Sequence, residues 1–579
     1  MQNALTMTDR QLYARLTDYV APYRGTFALG LLGMMVLAAT EPALPVLLKL
    51  MLDGTLVNQK HELVQLVPLA VIVFFAVRGV TSYLSIYVLN WVSGKLVMDL
   101  RVTMFDKLLT LPASYYADHA SDNLVATVTF DASRTVHTAT GAISVLARDT
   151  LTIIALLAWM LYLDWRSALL ALLLIPMIIL IMRLGNGQQQ KSGRETEKTL
   201  DGMTQVLQES IRNHKVVKLY GGQQYQSQRF RNEVDRSHRS TMKQANAKAF
   251  IASLMQMAVG VVLAIAIYPA TQQATTDGAT AGSFVSLSMA MLLLIMPVKR
   301  ITAIYMSRHQ GLTAAGSVFS LLDQEIEQDA GTVAIGRTQG ELHFEQVGFH
   351  CHPQAGAALE DFTLTLLPGE TVALVDPVDS GKLILADLLP RFLQPDTGRI
   401  LLDDQDLSTL TLTSLRANIA LVSWEIRLFN DTVAANIAYG AMGRATEADI
   451  IAAMHAAHAA EFVRELPQGL QTVVGEKGVQ LSNGQRLRIT IARALLKNPP
   501  ILILDETSSA PDLKPGQQEQ AVLVTLIQGR TTIIIAQHSS AVTEKADRII
   551  LLQHGRITAI GSHLKLLAKE ETYAGLFRT

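Results

Sequence analysis

Six long apolar stretches in the first half of the chain constrain its fold more than any other feature. A helix needs roughly 20 apolar residues to cross about 30 Å of hydrocarbon, and these stretches are close to that length or longer. The sequence therefore predicts six transmembrane helices, which excludes a soluble phosphotransferase. The stretches lie near residues 25–48, 64–92, 142–163, 167–184, 249–268 and 283–304.

The composition agrees with a membrane protein of several domains. The chain has 579 residues, of which 49% are hydrophobic and only 17% are charged, and its length exceeds that of one hydrophobic core. A net charge of −1 gives no attraction to nucleic acid. The single cysteine, Cys351, excludes an internal disulfide and a Cys-rich metal site. The polar N-terminal segment does not resemble a cleavable signal.

The loops between the apolar stretches alternate in length and charge. Those at 52–63, 164–166 and 271–282 are short and poor in Lys and Arg, whereas those at 93–140 and 185–248 are long and basic. Basic loops stay on the cytoplasmic side of a membrane, so both termini are predicted to be cytoplasmic. Apolar residues recur at three- and four-residue spacing inside the long loops, which predicts that membrane helices continue into the cytosol.

The second half of the chain has a different pattern. Short β-rich runs such as ELHFEQVGF, ILILDE and TTIIIA alternate with helical stretches, which is typical of an α/β nucleotide-binding domain. We therefore predict a transmembrane domain at 1–325, with six spans and two long cytoplasmic loops. A linker at 326–339 and a nucleotide-binding domain at 340–579 follow it.

A phosphate-binding loop is indicated where the apolar strand TVALV is followed by DPVDSGKL, at 376–383. In such a loop backbone N–H groups cradle phosphates at a helix N-terminus, a Lys supplies charge, and a Ser or Thr hydroxyl holds Mg²⁺. Gly381 and Lys382 fit this pattern. However, Asp376 replaces its first Gly and Leu383 replaces its hydroxyl residue. Taken alone, these eight residues fit an ordinary strand-to-helix turn equally well.

Two further motifs follow the loop. The stretch LSNGQRLRITIARALLKNPP, at 481–500, leads directly into the apolar strand ILILDE, at 501–506. At the end of that strand Asp505 would hold Mg²⁺ through water, and Glu506 would polarise an attacking water molecule. These neighbouring motifs favour the phosphate-loop interpretation of 376–383 over an ordinary turn.

The order and spacing of these motifs resemble the ABC exporter family, and within it the lipid A flippases of Gram-negative bacteria. LSNGQ resembles the LSGGQ signature of the family, and the segment 428–440 resembles its helical subdomain. The segment 93–116 resembles its first intracellular loop, with a coupling helix near 111–117. The resemblance implies a type I ABC exporter fold, in which six transmembrane helices are fused to an α/β P-loop NTPase-like domain. It also implies ATP and Mg²⁺ as cofactors and a multi-pass position in the cell inner membrane.

The functional positions of the family transfer to this chain residue by residue. Glu506 and Gln537 fall at catalytic positions and Asp505 falls at the metal position. In the family the signature closes on the γ-phosphate held by the opposite subunit, so the resemblance implies a homodimer. The nucleotide-binding positions are Cys351, Asp376, Pro377, Val378, Asp379, Ser380, Gly381, Lys382, Leu383, Trp424, Ser482, Asn483, Gly484 and Gln485.

Many of these positions depart from the family pattern. Asp376 adds negative charge beside the phosphates and Leu383 removes a Mg²⁺ ligand. Each change is expected to cost about one to several kcal/mol of nucleotide binding or transition-state stabilisation. We therefore expect impaired hydrolysis on an intact fold, because the changed residues are expected to lie on loops. The other departures are Cys351 for the adenine-stacking aromatic, Trp424 for the Q-loop Gln, Asn483 for a signature Gly, Pro511 in the D-loop and Gln537 for the switch His.

Basic residues inside the apolar stretches indicate the cargo. Arg78, Arg148 and Lys299 fall where the lipid A flippases hold phosphorylated glucosamines, although another basic position of that group is Met296 here. Charges inside a membrane are costly and usually functional. Each residue taken alone also fits snorkelling to the interface or pairing with a neighbour, such as Arg148 with Asp149.

These observations favour ATP-driven flipping of lipid A or a related phosphorylated amphipathic lipid. Two alternatives stay open at this point. The chain would be a broad multidrug exporter if an aromatic cavity replaced the basic one. It would be a non-hydrolytic membrane protein that binds lipid or nucleotide if the altered motifs abolished turnover.

Overall fold

The structure is a computed structural model, and its described residues form two compact units. The first unit comprises residues 1–110 and 120–324, and the second comprises residues 111–119 and 325–579. The predicted domain boundaries at 325 and 340 stay predictions. The described residues are 9–53, 61–165, 169, 199, 202–276, 280–350, 358–376, 382–423, 426–506, 517–536 and 545–575.

The described elements of the first 324 residues are helices. Pro42, which has no backbone N–H, lies where α2 ends and α3 begins, and it separates them into two helices. The helices are α1 Asp9–Val20, α2 Arg24–Thr40, α3 Ala43–Leu52, α4 His61–Leu109, α5 Ala113–Asp118, α6 Ser121–Ala126, α7 Ala132–Leu163, α8 His214–Leu219, α9 Gln223–Thr276 and α10 Ala281–Leu322.

Four segments of the described residues are long and apolar enough to cross a membrane. They are residues 14–52, 68–109, 121–163 and 282–304, and they contain the first, third and sixth predicted spans and most of the second. The fifth predicted span lies within the continuous helix α9, and the fourth, except for residue 169, lies outside the described residues. A segment of 43 residues is roughly 65 Å long as a helix. Since this is about twice the hydrocarbon thickness, such helices extend well beyond the membrane.

Buried hydroxyl groups join the membrane helices to one another. Ser93 of α4 donates a hydrogen bond of 2.9 Å to Thr140 of α7, and both side chains are buried. Trp159 of α7 donates to the Ser286 hydroxyl of α10 at 3.0 Å, and this hydroxyl donates to the Pro45 carbonyl of α3 at 2.8 Å. Interhelical hydrogen bonds of this kind hold helices together where apolar side chains gain little by leaving lipid.

The second unit is an α/β domain built on two sheets. A six-stranded sheet has the order β10-β9-β3-β8-β7-β6, and a four-stranded antiparallel sheet has the order β2-β1-β4-β5. The strands are β1 Leu342–Phe349, β2 Leu359–Leu366, β3 Thr371–Val375, β4 Thr397–Leu402, β5 Gln405–Asp406, β6 Ile419–Ser423, β7 Ile501–Asp505, β8 Thr531–Ala536, β9 Arg548–Gln553 and β10 Arg556–Gly561.

Short helices complete this unit, and α5 belongs to it although it precedes most of the membrane helices in the chain. The coupling helix predicted near 111–117 therefore corresponds to a real helix that groups with the α/β domain. The remaining helices are α11 Lys382–Leu388, α12 Leu412–Ala417, α13 Val433–Ile437, α14 Glu447–Ala456, α15 Ala460–Glu465, α16 Asn483–Lys497, α17 Gln517–Ile527, α18 His563–Lys569 and α19 Glu571–Gly575.

The six-stranded sheet has a separate apolar core on each face. In β3, Val372 and Leu374 belong to the core shared with the antiparallel sheet, whereas Ala373 belongs to the core beneath α16. In β7, Ile503 belongs to the core shared with the antiparallel sheet and Leu504 belongs to the core beneath α16. Successive side chains of a strand point to opposite faces, so strands buried on both faces must be apolar throughout, as in a parallel sheet covered on both sides.

Gly398 in β4 supports a test of this packing. Its φ angle is +76°, and a Cβ atom there would overlap the carbonyl oxygens of Glu345 and Gln346 in β1. Gly369 has nearly the same φ, +78°, but a Cβ atom added to it would meet no neighbouring atom within 4 Å. Alanine at either site has a similar backbone cost, so the difference between the two variants isolates the clash.

We expect Gly398→Ala to destabilise the α/β domain by about 2 kcal/mol more than Gly369→Ala. The apparent melting temperature of the purified full-length chain should then fall about 4–8 °C further for Gly398→Ala. Equal melting temperatures for the two variants would contradict the close approach of β4 to β1.

Candidate functional site

The parallel strands β3, β6, β7 and β8 bring the ends of the nucleotide motifs to one edge of the sheet. Val375 pairs with Ala536, and Asp505 pairs with both Ile535 and Ser423. Since parallel strands present their carboxyl ends together, the residues that follow these strands share one region. Among the described residues they are Asp376 after β3 and Glu506 after β7, while Trp424 and Gln537 lie outside the described part of the chain.

The structure describes both ends of the predicted phosphate loop but not its middle. Asp376, at the end of β3, is 2% exposed. The helix α11 begins at Lys382, whose side chain lies outside the described part, and Leu383 is exposed. A loop between a strand and a helix N-terminus is the arrangement that binds phosphate. The predicted loop residues outside the described part are Pro377, Val378, Asp379, Ser380 and Gly381.

The two carboxylates at the end of β7 differ in environment. The Ser423 hydroxyl donates a hydrogen bond of 3.0 Å to Asp505, which places the end of β6 against the predicted metal ligand. The Glu506 side chain is buried, and its backbone N–H donates to the Ile535 carbonyl at 2.9 Å. Both carboxylates therefore lie where the sequence predicted them, at the carboxyl edge of the sheet.

Asp387 is a third carboxylate, and the sequence analysis did not identify it. It lies on α11, four residues after Leu383, so the two residues share one face of the helix. Burial raises the pKa of the Asp387 carboxyl, and the nearby charge of Asp505 raises it further. The signal in the sequence was that Asp387 follows by four residues Leu383, which replaces the Ser or Thr of the phosphate-loop pattern.

The signature segment forms the N-terminus of α16. Ser482 is the N-cap residue, and its hydroxyl accepts a hydrogen bond from the Gln485 N–H at 3.2 Å. The Gln485 side chain in turn accepts from the Ser482 N–H at 2.9 Å. This reciprocal pair is a capping box, which fixes the start of the helix. Ser482 and Asn483 are both exposed, while Gly484 and Gln485 are partly buried.

Two of the departures lie on helices, which corrects the expectation that all of them lie on loops. Asn483 is the first residue of α16, and its side-chain oxygen accepts a hydrogen bond from Arg486. Leu383 is the second residue of α11. The helices form because both positions face outward in the first turn, where side chains meet little packing.

The adenine and switch positions are described only in part. Cys351, Trp424, Pro511 and Gln537 lie outside the described residues. His350, beside the adenine position, has its ring nitrogen 3.1 Å from an Asp396 oxygen, and its backbone N–H donates to the same oxygen at 2.7 Å. The assignments of all nucleotide-site residues stay predictions.

Within the membrane unit, the basic residues lie among carboxylates. Arg78 of α4 forms an ion pair with Glu41, and Arg300 of α10 donates two hydrogen bonds of 2.8 Å to Asp149 of α7. The sequence left open a pairing of Arg148 with Asp149, but the hydrogen-bonded partner of Asp149 is Arg300, and Asp149 acts on Arg148 as a nearby charge. The sequence did not identify Glu41 or Arg300 as partners.

The other two cargo positions, in the last span, differ from Arg78 and Arg148. Lys299 is exposed, as is Met296, the position where the flippases have a further basic residue. Arg148 is partly buried and feels the charges of Glu41, Arg78, Asp149 and Arg300. Arg78 and Arg148 thus lie in one charged cluster.

Comparison with known proteins gives matches along the whole chain. Residues 27–298 match the family described as ABC transporter transmembrane region, and residues 359–509 match the family described as ABC transporter. The chain is 43% identical over 569 residues to an ATP-dependent lipid A-core flippase of Thiobacillus denitrificans, with 98% of each chain covered. It is 40% identical to a protein of the same name from Albidiferax ferrireducens, with 100% of each chain covered.

A solved structure has the same fold. A bacterial Atm1-family ABC exporter with ATP bound has a TM-score of 0.81 to this chain and is 27% identical to it, and the match covers 96% of this chain and 98% of that one. This agrees with the predicted combination of a helical membrane domain and an ATP-binding α/β domain.

The raised pKa of Asp387 gives a testable effect of pH on stability. The folded chain holds the Asp387 proton more tightly than the unfolded chain, whose Asp pKa is about 3.9. Ionised Asp387 therefore lowers the stability of the fold at neutral pH, and this loss disappears once the pH falls below the unfolded value. We expect Asp387→Asn to raise the melting temperature at pH 7.5 and to lose that gain towards pH 4.

The control is Asp235→Asn, since Asp235 lies exposed on α9. A gain for Asp387→Asn that did not change with pH would contradict a raised pKa at this carboxyl.

Proposed function

Because this chain belongs to the ABC exporter family, we propose that it is an ATP-driven flippase for lipid A or a related phosphorylated amphipathic lipid. The observation that carries the proposal is the charged cluster drawn from four apolar spans. A membrane helix rarely contains Arg unless function requires it. Three arginines in one cluster suit a cargo that carries negative phosphates on a headgroup and acyl chains below it.

The apolar surroundings of the cluster explain why it would select such a cargo. Opposite charges attract far more strongly where water is scarce, and apolar helix surfaces accommodate acyl chains. We assign Arg78 and Arg148 to the phosphates of the lipid and Lys299, which is exposed, to the same headgroup. Because residue 296 is a methionine, we expect weaker binding of the lipid headgroup than in the flippases that have a basic residue there.

The α/β domain supports ATP binding in a homodimer. In the proposed arrangement, Lys382 and the preceding loop hold the phosphates of ATP, and Ser482 of a second identical subunit closes on the γ-phosphate. The Ser482 hydroxyl accepts its capping hydrogen bond, so its own proton is available to a phosphate oxygen. The exposed N-terminus of α16 adds the positive end of a helix dipole. We place this domain and the N-terminus in the cytoplasm and the helices in the cell inner membrane.

The described residues fit Mg²⁺ only in part. Asp505 lies at the carboxyl edge of the sheet with Ser423 bonded to it, and a Mg²⁺ ion there would balance the charges of Asp505 and Asp387. Leu383 offers no oxygen, because its side chain is a hydrocarbon. When bound with ATP, Mg²⁺ would neutralise phosphate charge; here we assign it to Asp505, and we expect the ion to be held weakly.

Hydrolysis should consequently be impaired, although Glu506 is retained at the position of the general base. A broad multidrug exporter is a second interpretation of the membrane half, and lipid A should then fail to stimulate ATP hydrolysis more than unrelated amphiphiles do. A non-hydrolytic protein is the interpretation from another class, and it would bind nucleotide without turnover. Measurements of ATP hydrolysis and nucleotide binding, each with and without lipid A, distinguish the three.

The cargo assignment predicts the effect of removing two cations. Arg78→Ala combined with Arg148→Ala should weaken lipid A binding to the purified chain at least about tenfold, since two charge-assisted contacts are lost. Native mass spectrometry or fluorescence titration in nanodiscs would measure the affinity. Unchanged affinity would remove the cargo assignment and leave the fold untouched.

The altered nucleotide loop predicts slow ATP hydrolysis, and returning the residues of the family pattern should raise its rate. Asp376→Gly, Leu383→Ser and Trp424→Gln together should raise kcat at least about a hundredfold, because they remove a charge and return two Mg²⁺ ligands. Glu506→Gln should abolish the restored activity. As a matched control, Leu367→Ser changes an exposed leucine in the turn after β2 and should leave the rate unchanged. Rapid hydrolysis by the native chain, abolished by Glu506→Gln, would refute the impairment.

A further inference from the structure

The charged cluster in the membrane unit contains carboxylates whose role the proposed function does not explain. Each of the four described apolar spans contributes to it. Glu41 comes from the junction of α2 and α3, and Arg78 comes from α4. Arg148 and Asp149 come from α7, and Arg300 comes from α10. Three cations face two carboxylates, so the cluster has one positive charge in excess.

The two ion pairs of the cluster are built differently. Arg300 donates two hydrogen bonds of 2.8 Å to Asp149, whose side chain is 0% exposed. Arg78 forms its ion pair with Glu41 through one nitrogen, and a second nitrogen lies 3.4 Å from the Thr40 hydroxyl. A bidentate pair on a fully buried carboxylate is the stronger and geometrically more fixed of the two. The Asp149–Arg300 pair is thus the fixed element, and the Glu41–Arg78 pair is the exchangeable one.

The exchangeable pair is also accessible from outside the protein core. Both of its side chains can be reached, since Glu41 is 14% exposed and Arg78 is 23% exposed, whereas in the other pair Arg300 is 38% exposed and Asp149 is 0% exposed. Arg148, which feels the charges of both pairs, has its Nε buried without a hydrogen-bond partner among the described residues. An anion that reached Arg148 would therefore meet Arg78 beside it, already neutralised by Glu41.

We propose that Glu41 is a specificity-determining residue that competes with the phosphate of the cargo for Arg78. This inference rests on the proposed function and adds a rule for selecting the lipid. A phosphate monoester carries a charge of about −1.5 to −2 near pH 7, whereas a carboxylate carries a single negative charge. The monoester can displace Glu41 from Arg78, but a singly charged phosphodiester gains too little to do so. Glu41 would thereby exclude the bulk anionic phospholipids of the same membrane.

The same competition keeps the cargo releasable. A cluster of three unopposed arginines would hold a phosphorylated lipid so tightly that release would be slow, because affinity differences appear mostly in the dissociation rate. With Glu41 present, Arg78 returns to an internal partner when the lipid leaves. The buried cation is then never left without a countercharge, a state that would be costly in the membrane.

The test compares two lipids on the full-length chain in phosphatidylcholine nanodiscs. The probes are hexa-acyl lipid A 1,4′-bisphosphate, which has phosphate monoesters, and phosphatidylglycerol, which has a phosphodiester. We expect Glu41→Gln to increase the affinity for both lipids, and to increase it more for phosphatidylglycerol. The ratio of the lipid A affinity to the phosphatidylglycerol affinity should then fall at least about tenfold. Glu209→Gln is the matched control, because Glu209 forms an exposed ion pair of 2.9 Å with Arg229.

A second background shows whether Glu41 acts through Arg78. In the Arg78→Ala chain, adding Glu41→Gln should change the ratio of the two affinities much less, since the contested cation is gone. Only the charge effect of Glu41 on Arg148 and Arg300 then remains. If Glu41→Gln fails to fold, Glu41→Asp keeps the charge with a shorter reach and should lower the ratio to a smaller extent.

An unchanged affinity ratio in Glu41→Gln would overturn the inference. The inference would also be overturned if Glu41→Gln increased lipid affinity equally in the native chain and in the Arg78→Ala chain. If the native chain binds lipid A but the ratio does not move, the proposed function stands and only the role of Glu41 is lost. If the native chain binds neither lipid, the proposed function is lost and this inference with it.

Discussion

Compensation of charge inside hydrocarbon is the constraint on which the membrane half of this protein depends. Hydrocarbon does not solvate charge, so Arg78, Asp149 and Arg300 in the apolar spans each need an opposite charge from another helix. Glu41–Arg78 and Asp149–Arg300 supply those charges and join α2, α4, α7 and α10. Each pair forms only when the helices that carry it are rotated so that the two charges face each other.

A parallel sheet imposes a comparable constraint on the α/β half. Its strands are apolar on both faces, and their chemistry begins only where the strands end. Asp376 and Asp505 therefore lie at the same edge of the sheet, with β8 between their strands, because of strand direction and register. This explains how the fold keeps its architecture while the loop residues depart from the family pattern.

The membrane half and the α/β half thus differ in which functional side chains they contain. The membrane half has a cluster of five charged side chains, although residue 296 is a methionine. The α/β half has Asp505, Glu506 and the capped start of α16, but Leu383 in its phosphate loop offers no oxygen to a Mg²⁺ ion. Each half has its own apolar core, so substitutions in one leave the packing of the other intact.

The sequence by itself determined the class of fold, because the length of apolar stretches and the order of motifs are local properties. Strands β1, β3, β7 and β8 formed where the β-rich runs predicted them, and four predicted spans lie in apolar helical segments. The ion-pair partners of the charged residues in the spans were not predictable from the sequence. Adjacent residues on a helix point about 100° apart, so Arg148 cannot share its neighbour's direction, and Asp149 instead pairs with Arg300, 151 residues away. Only the tertiary structure decided that choice, since it depends on how separate helices are rotated and spaced.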